Sequence, residues 1–153
     1  MIRLTITALV LLAFVGQTSA DDKDDKIAEQ KKLLQGRWEP TEVQVLGKKL
    51  PNEEWTQMYW EFADDKVSIL VKNPQPGKAD FLYRWNWAID PSKEIAALDL
   101  TGSNPKLGFI AIYKVDGDTL TVCWNAGRET RPEKFESSKT DFRTLTTFKR
   151  VKK

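Results

Sequence analysis

Histidine is absent from this 153-residue chain, and cysteine occurs once, as Cys123. Without imidazole there is no histidine general base, no Ser-His-Asp triad, no Cys-His dyad, no His-ligated haem and none of the common zinc sites. A lone cysteine makes no internal bridge, so the fold must be held by burial. Excess charge of either sign is also missing. Lys+Arg 24 against Asp+Glu 22 gives +2, which leaves neither a basic nucleic-acid footprint nor an acidic solvating tail. The sequence calls for no metal, no cofactor and no nucleic-acid partner. Long apolar runs are lacking as well: the longest, residues 4–15, has 12 residues, short of the roughly 20 that cross a bilayer.

That run has its own meaning. Met1-Ile2-Arg3 precedes it, Gly16-Gln17-Thr18-Ser19-Ala20 follows, and Asp21-Asp22-Lys23-Asp24-Asp25 comes next. A positive start, a short apolar stretch and small residues before a charged segment describe a secretory signal peptide over residues 1–20, cleaved after Ala20. An uncleaved anchor is the alternative; no cysteine follows the run to take a lipid. Removing 20 of 153 residues leaves 133 with a net charge of +1, because Arg3 is the only charged residue lost. The expected product is an exported monomer, periplasmic or secreted, with no membrane span after cleavage.

Residues 21–32 read as a flexible charged lead-in and the start of a helix, and residues 33–153 as one β-barrel domain. Ile27, Leu34 and their neighbours fall at helical spacing over 27–35, and Gly36 stops the helix. Beyond Gly36 the period changes to two, with turn signals every 8 to 12 residues. Strands are expected at 37–46, 58–63, 66–72, 80–89, 95–101, 107–115, 119–124 and 142–150, with a helical turn at 52–57 and a long loop at 125–141. Connections this short imply antiparallel neighbours. Closing eight strands into an up-and-down barrel removes the exposed edges; a β-sandwich is the alternative. The fold class is therefore all-β, an eight-stranded antiparallel barrel with a short N-terminal helix.

Alternation in Phe81-Leu82-Tyr83-Arg84-Trp85-Asn86-Trp87-Ala88-Ile89 puts Phe81, Tyr83, Trp85, Trp87 and Ile89 on one inward row. Leu120, Val122 and Trp124 form a second row, and Phe109, Ala111, Tyr113 and Val115 a third. Such a lining either stacks a small apolar ligand or fills the barrel with its own rings. Tyr83, Trp85, Trp87, Tyr113 and Trp124 are the candidate ligand contacts. Arg131 joins them as a donor fork at a barrel mouth, unless it serves to cap carbonyls in a loop that Pro132 stiffens and Phe135 anchors. Cys123 faces outward as a half-buried thiol with no histidine to activate it. Asp64-Asp65 and Asp116-Gly117-Asp118 sit in predicted hairpin turns, where Asp and Gly are expected for backbone reasons. Glu53 and Glu54 are the carboxylate pair that a hydrolase would need.

Gly36-Arg37-Trp38 opens the first strand and Phe148-Lys149-Arg150 closes the last. These resemble the lipocalin-like arrangement, whose initial G-x-W meets an Arg of the final strand at the closed barrel end. The resemblance implies that Trp38 and Arg150 are structural partners, a guanidinium over an indole. Pro40 is expected to mark a bulge that passes the inward face from Trp38 to Val43 and Val45. Further pieces are Leu34-Gln35-Gly36-Arg37-Trp38, Asp90-Pro91-Ser92-Lys93, Leu98-Asp99-Leu100, residues 112–120 with Cys123, and Arg131-Pro132-Glu133-Lys134-Phe135. In order and spacing they resemble a small lipocalin-like domain found in many copies in planctomycete bacteria. That family implies an exported barrel of unknown biochemical function and carries over no catalytic residue. Trp85 and Trp87 depart from it in bulk.

Two functions follow as expectations. One is a non-enzymatic binding module with an apolar ligand in the barrel. The other is a protein-interaction or cell-envelope structural module with a filled barrel, its partner an envelope protein meeting an outward patch at Ile110, Ile112 and Leu145.

Overall fold

The computed structural model describes residues 20–55, 57–71, 73, 75–104, 107–125 and 130–152. The expected signal peptide lies outside the described residues except for Ala20.

Helix α1, Ala20–Leu34, is followed by β1 (Gly36–Val45), β2 (Lys48–Lys49), α2 (Asn52–Trp55), β3 (Tyr59–Ala63), β4 (Lys66–Val71), β5 (Phe81–Asp90), β6 (Ala97–Thr101), β7 (Gly108–Asp116), β8 (Thr119–Asn125) and β9 (Arg143–Arg150). Each long strand pairs antiparallel with its sequence neighbour, β1 with β3, and β1 also pairs with β9. That last pairing closes an eight-stranded up-and-down barrel and sets aside the sandwich. The two-residue β2 only extends the β1 edge.

Helix α1 begins well before the apolar spacing at Ile27, so Asp21 to Lys26 are helical rather than a loose lead-in. Charge placement accounts for the difference: Asp21 and Asp22 occupy the first turn and Lys31 and Lys32 the last, each matching the helix dipole. The helix stops where Gly36 adopts φ 104°, a conformation that only glycine takes without strain. In β1 the register shifts between Pro40 and Glu42. Trp38 and Pro40 are buried before the shift and Val43 after it, as the bulge requires.

The two barrel ends differ. At one, α1 lies across the opening with Leu34 fully buried, and Trp38 Nε1 donates to the Leu34 carbonyl at 2.8 Å. Behind it, Phe62, Trp87, Ile89, Leu98, Leu100, Tyr113 and Leu120 fill the interior. Phe62 and Trp87 meet edge to face at 5.0 Å, and Lys31 of α1 places its ammonium 5.1 Å from the Trp87 ring. At the opposite end, where β5 begins and β8 ends, the only helix among the described residues is the short α2, whose flanking residues Leu50 and Met58 line the opening. There the expected inward row is in the right orientation but not fully covered: Phe81 is 46% and Tyr83 44% exposed.

Outside the barrel, the 130–142 segment covers part of the β7–β8 wall. Ile112, expected on the surface, is buried, and Cys123 beside it is fully buried rather than half-buried. The buried Cys123 thiol donates to the Glu136 carbonyl at 3.5 Å.

Candidate functional site

A cavity of about 340 Å³ occupies the uncovered end of the barrel. Its wall comes from the inward residues of successive strands: Pro40, Val43 and Val45 of β1, Trp60 of β3, Ile69 and Val71 of β4, Tyr83 and Trp85 of β5, Phe109 of β7, Trp124 of β8, and Thr144, Thr146 and Phe148 of β9. Leu50 and Met58, flanking α2, complete it.

Trp60 is the floor. It is 3% exposed, and its ring lies 5.1 Å from Phe148, 5.4 Å from Trp124, 5.7 Å from Phe109 and 6.3 Å from Phe62. Below it the core is packed; above it the space is open. Phe109 also meets Trp85 at 6.2 Å and Trp124 at 5.6 Å, so one aromatic wall runs from β3 through β8 and β7 to β5. All these contacts are tilted, a geometry that suits ring quadrupoles.

Polar groups are scarce here: among the described lining residues they are the Tyr83 phenol, the hydroxyls of Thr144 and Thr146 and the indole N–H groups of Trp60, Trp85 and Trp124. Thr146 is 2% exposed, and its Oγ1 has no hydrogen-bond partner among the described residues. An unmatched buried hydroxyl costs about 1–3 kcal/mol.

Of the sequence-derived contacts, the structure brings Tyr83, Trp85 and Trp124 together at this cavity. Trp87 and Tyr113 are corrections: both face inward, but at the helix-capped end, in the filled core. Strand rise explains the split. Tyr83 to Trp87 spans about 13 Å along β5, too far for one small cavity to reach both ends. Tyr113 is 2% exposed and its hydroxyl has no partner among the described residues; burial pushes this phenol up to about 12.

Arg131 is the third correction. It sits on the barrel's outer wall, not its mouth: Nη1 donates to the Ala111 carbonyl at 2.6 Å and Nη2 pairs with Asp99 at 2.7 Å. It pins the covering loop to strands β6 and β7, and the carbonyl it caps is that of Ala111 rather than a local one. Pro132 is buried in that loop, and Phe135 packs under the Lys114 ammonium at 5.1 Å. Burial pushes the Cys123 thiol up to about 11, which removes it as a nucleophile near neutrality.

Trp38 and Arg150 meet as expected, the guanidinium carbon 4.1 Å from the ring centroid. Glu53 and Glu54 are exposed on α2 and absent from the cavity wall. Among the described residues no group of three or more potential metal-ligating side chains gathers.

Sequence reasoning missed Trp60, Phe148, Thr144 and Thr146. The signal for Trp60 was present, since Tyr59-Trp60-Glu61-Phe62 alternates.

Strand pairing, closure and the end-capping helix define a closed eight-stranded antiparallel up-and-down barrel with one filled and one open end. Neither a protein-family model nor a curated protein matches the chain. Among solved structures, a mutant of the fluorescent protein UnaG is similar with a TM-score of 0.41 at 10% identity, covering 80% of this chain and 99% of that one.

Proposed function

We propose that the chain is an exported, non-enzymatic binding protein that holds one small apolar ligand in the open end of its barrel. The observation that carries this is the cavity: about 340 Å³, walled by aromatic and aliphatic side chains, within the roughly 300–1,000 Å³ range of ligand sites. A barrel filled by its own rings would have left no such space. Tyr83, Trp85 and Trp124 form its contacts from the sequence-derived set. Export rests on the residue pattern of 1–20, and kinship with the small planctomycete lipocalin-like domain rests on the ordered motif pieces. N-terminal sequencing of the secreted protein is expected to begin at Asp21.

The alternative, an envelope or protein-interaction module, looks to an exposed apolar patch; of Ile110, Ile112 and Leu145 the second is buried and the other two half-buried, and the exposed large apolar side chains include Leu82, Leu107 and Phe142 instead.

Native mass spectrometry of protein purified from its own host tests the proposal. A monomer carrying a co-purified small molecule, released on unfolding, is the expected result. Bare protein at every loading counts against it.

A further inference from the structure

The seam between β1 and β3 is the shortest in the barrel. Gly36, Arg37 and Trp38 face Phe62, Glu61 and Trp60 and the ladder stops there, whereas every other seam pairs five or more residues of each strand. Arg37 clips the two strands where the ladder ends, its guanidinium carbon 3.7 Å from the Tyr59 ring centroid. Past that point the β1 register shifts at Pro40, which has no N–H to offer, and the pairing with β3 does not resume.

Side chains rather than a ladder close the opening. Pro40 and Met58 line the apolar cavity, and the same two residues line an outer groove of about 520 Å³ together with Arg37, Glu39 and Trp55. Among the described residues no others are common to both walls. Met58 stands in a turn: its N–H donates to the Trp55 carbonyl at 3.1 Å, and Gln57 before it takes the left-handed φ of 70°. An unbranched thioether with three rotatable bonds swings aside without moving a strand. Phe81 and Leu107, exposed at the ends of β5 and β7, belong to neither wall.

We infer that the ligand enters and leaves through this side opening between β1 and β3, with Met58 as its gate, rather than past the rim at Phe81 and Leu107. This rests on the apolar-ligand reading above and adds a route to it. A gate sets the height of the barrier and leaves the bound state little changed, so it acts on association and release together. A residue that only touches the bound ligand acts mostly on release.

Stopped-flow mixing with 1-aminoanthracene, read from the fluorescence of the probe, measures the two rates in the wild type and in Met58→Ala, Met58→Trp and Phe81→Ala. Met58→Ala should raise both rates about fivefold or more, with Kd changing less than either, and Met58→Trp should lower both. Phe81→Ala should keep the wild-type rates. Unchanged rates in Met58→Ala, or release quickened alone, overturn the inference, as does a Phe81→Ala variant in which both rates rise. Failure of the probe to bind the wild type is a separate result, which removes the apolar-ligand reading and this route with it.

Discussion

Arg150 lies over Trp38, 4.1 Å from guanidinium carbon to ring centroid, and ties the last strand to the first. The same guanidinium donates to the Leu33 carbonyl at 2.6 Å and the Gln35 carbonyl at 2.7 Å, and Nε lies 3.4 Å from Asp118. One side chain thus caps α1, joins β9 to β1 and meets the β7–β8 turn. Arg150→Ala is expected to cost about 2–4 kcal/mol in urea unfolding. Arg150→Lys should recover only part, because a point ammonium cannot stack and fork at once. Hydrogen exchange in the last turn of α1 should quicken in both variants.

Arg131 fixes the loop that hides Cys123. In the wild type the thiol should resist a disulfide exchange reagent at pH 8, being fully buried and held protonated. Arg131→Ala removes a charge-assisted contact of about 1.5–3 kcal/mol, so labelling should accelerate by about tenfold or more. Equal rates in both proteins would mean that the loop is held by other contacts.

Thr146 carries a buried hydroxyl with no hydrogen-bond partner among the described residues. Thr146→Val keeps the shape and deletes the unmet group, and should stabilise the unliganded protein by about 1 kcal/mol. Differential scanning calorimetry reads this as a raised Tm. A lowered Tm would show that the hydroxyl is satisfied in solution.

Alkaline pH should weaken the fold. Cys123 rises from an ordinary value of 9 to about 11 and Tyr113 from 10 to about 12, both by burial. Each is protonated in the folded state at pH values where the unfolded chain has lost its proton. The stability they contribute is therefore intact below pH 9 and is lost as pH climbs, first through Cys123 and then through Tyr113. A decline on the order of 2 kcal/mol by pH 11 is expected from urea midpoints. Cys123→Ala should remove the earlier part and Tyr113→Phe the later part; identical pH profiles in all three proteins would refute the assignment.

Much of this was legible from residue order. Alternation located all eight long strands, the Asp and Gly turns set their connections, and Pro40 marked the bulge that hands the inward face to Val43 and Val45. Gly36-Arg37-Trp38 and Arg150 foretold the closed end. The open end was harder, because alternation says which residues point inward but not how far along the barrel they sit. Trp87 and Tyr113 were therefore grouped with Tyr83, although α1 seals their end. Thr144 and Thr146 escaped because polar residues at inward positions break the apolar rhythm of β9. The burial of Ile112 and Cys123 depends on a loop with no periodicity at all.

The cavity above Trp60 is the space a ligand would occupy. A neutral fluorophore such as 1-aminoanthracene, titrated into the wild type and into Val45→Trp, measures whether that space receives a ligand. Val45 lies in the cavity wall, so an indole there should fill the entrance while the fold, checked by circular dichroism, persists. Saturable one-to-one binding in the wild type, with quenching of tryptophan emission, and its loss in Val45→Trp is the predicted result. No saturable binding in the wild type, or equal binding in both proteins, would contradict it.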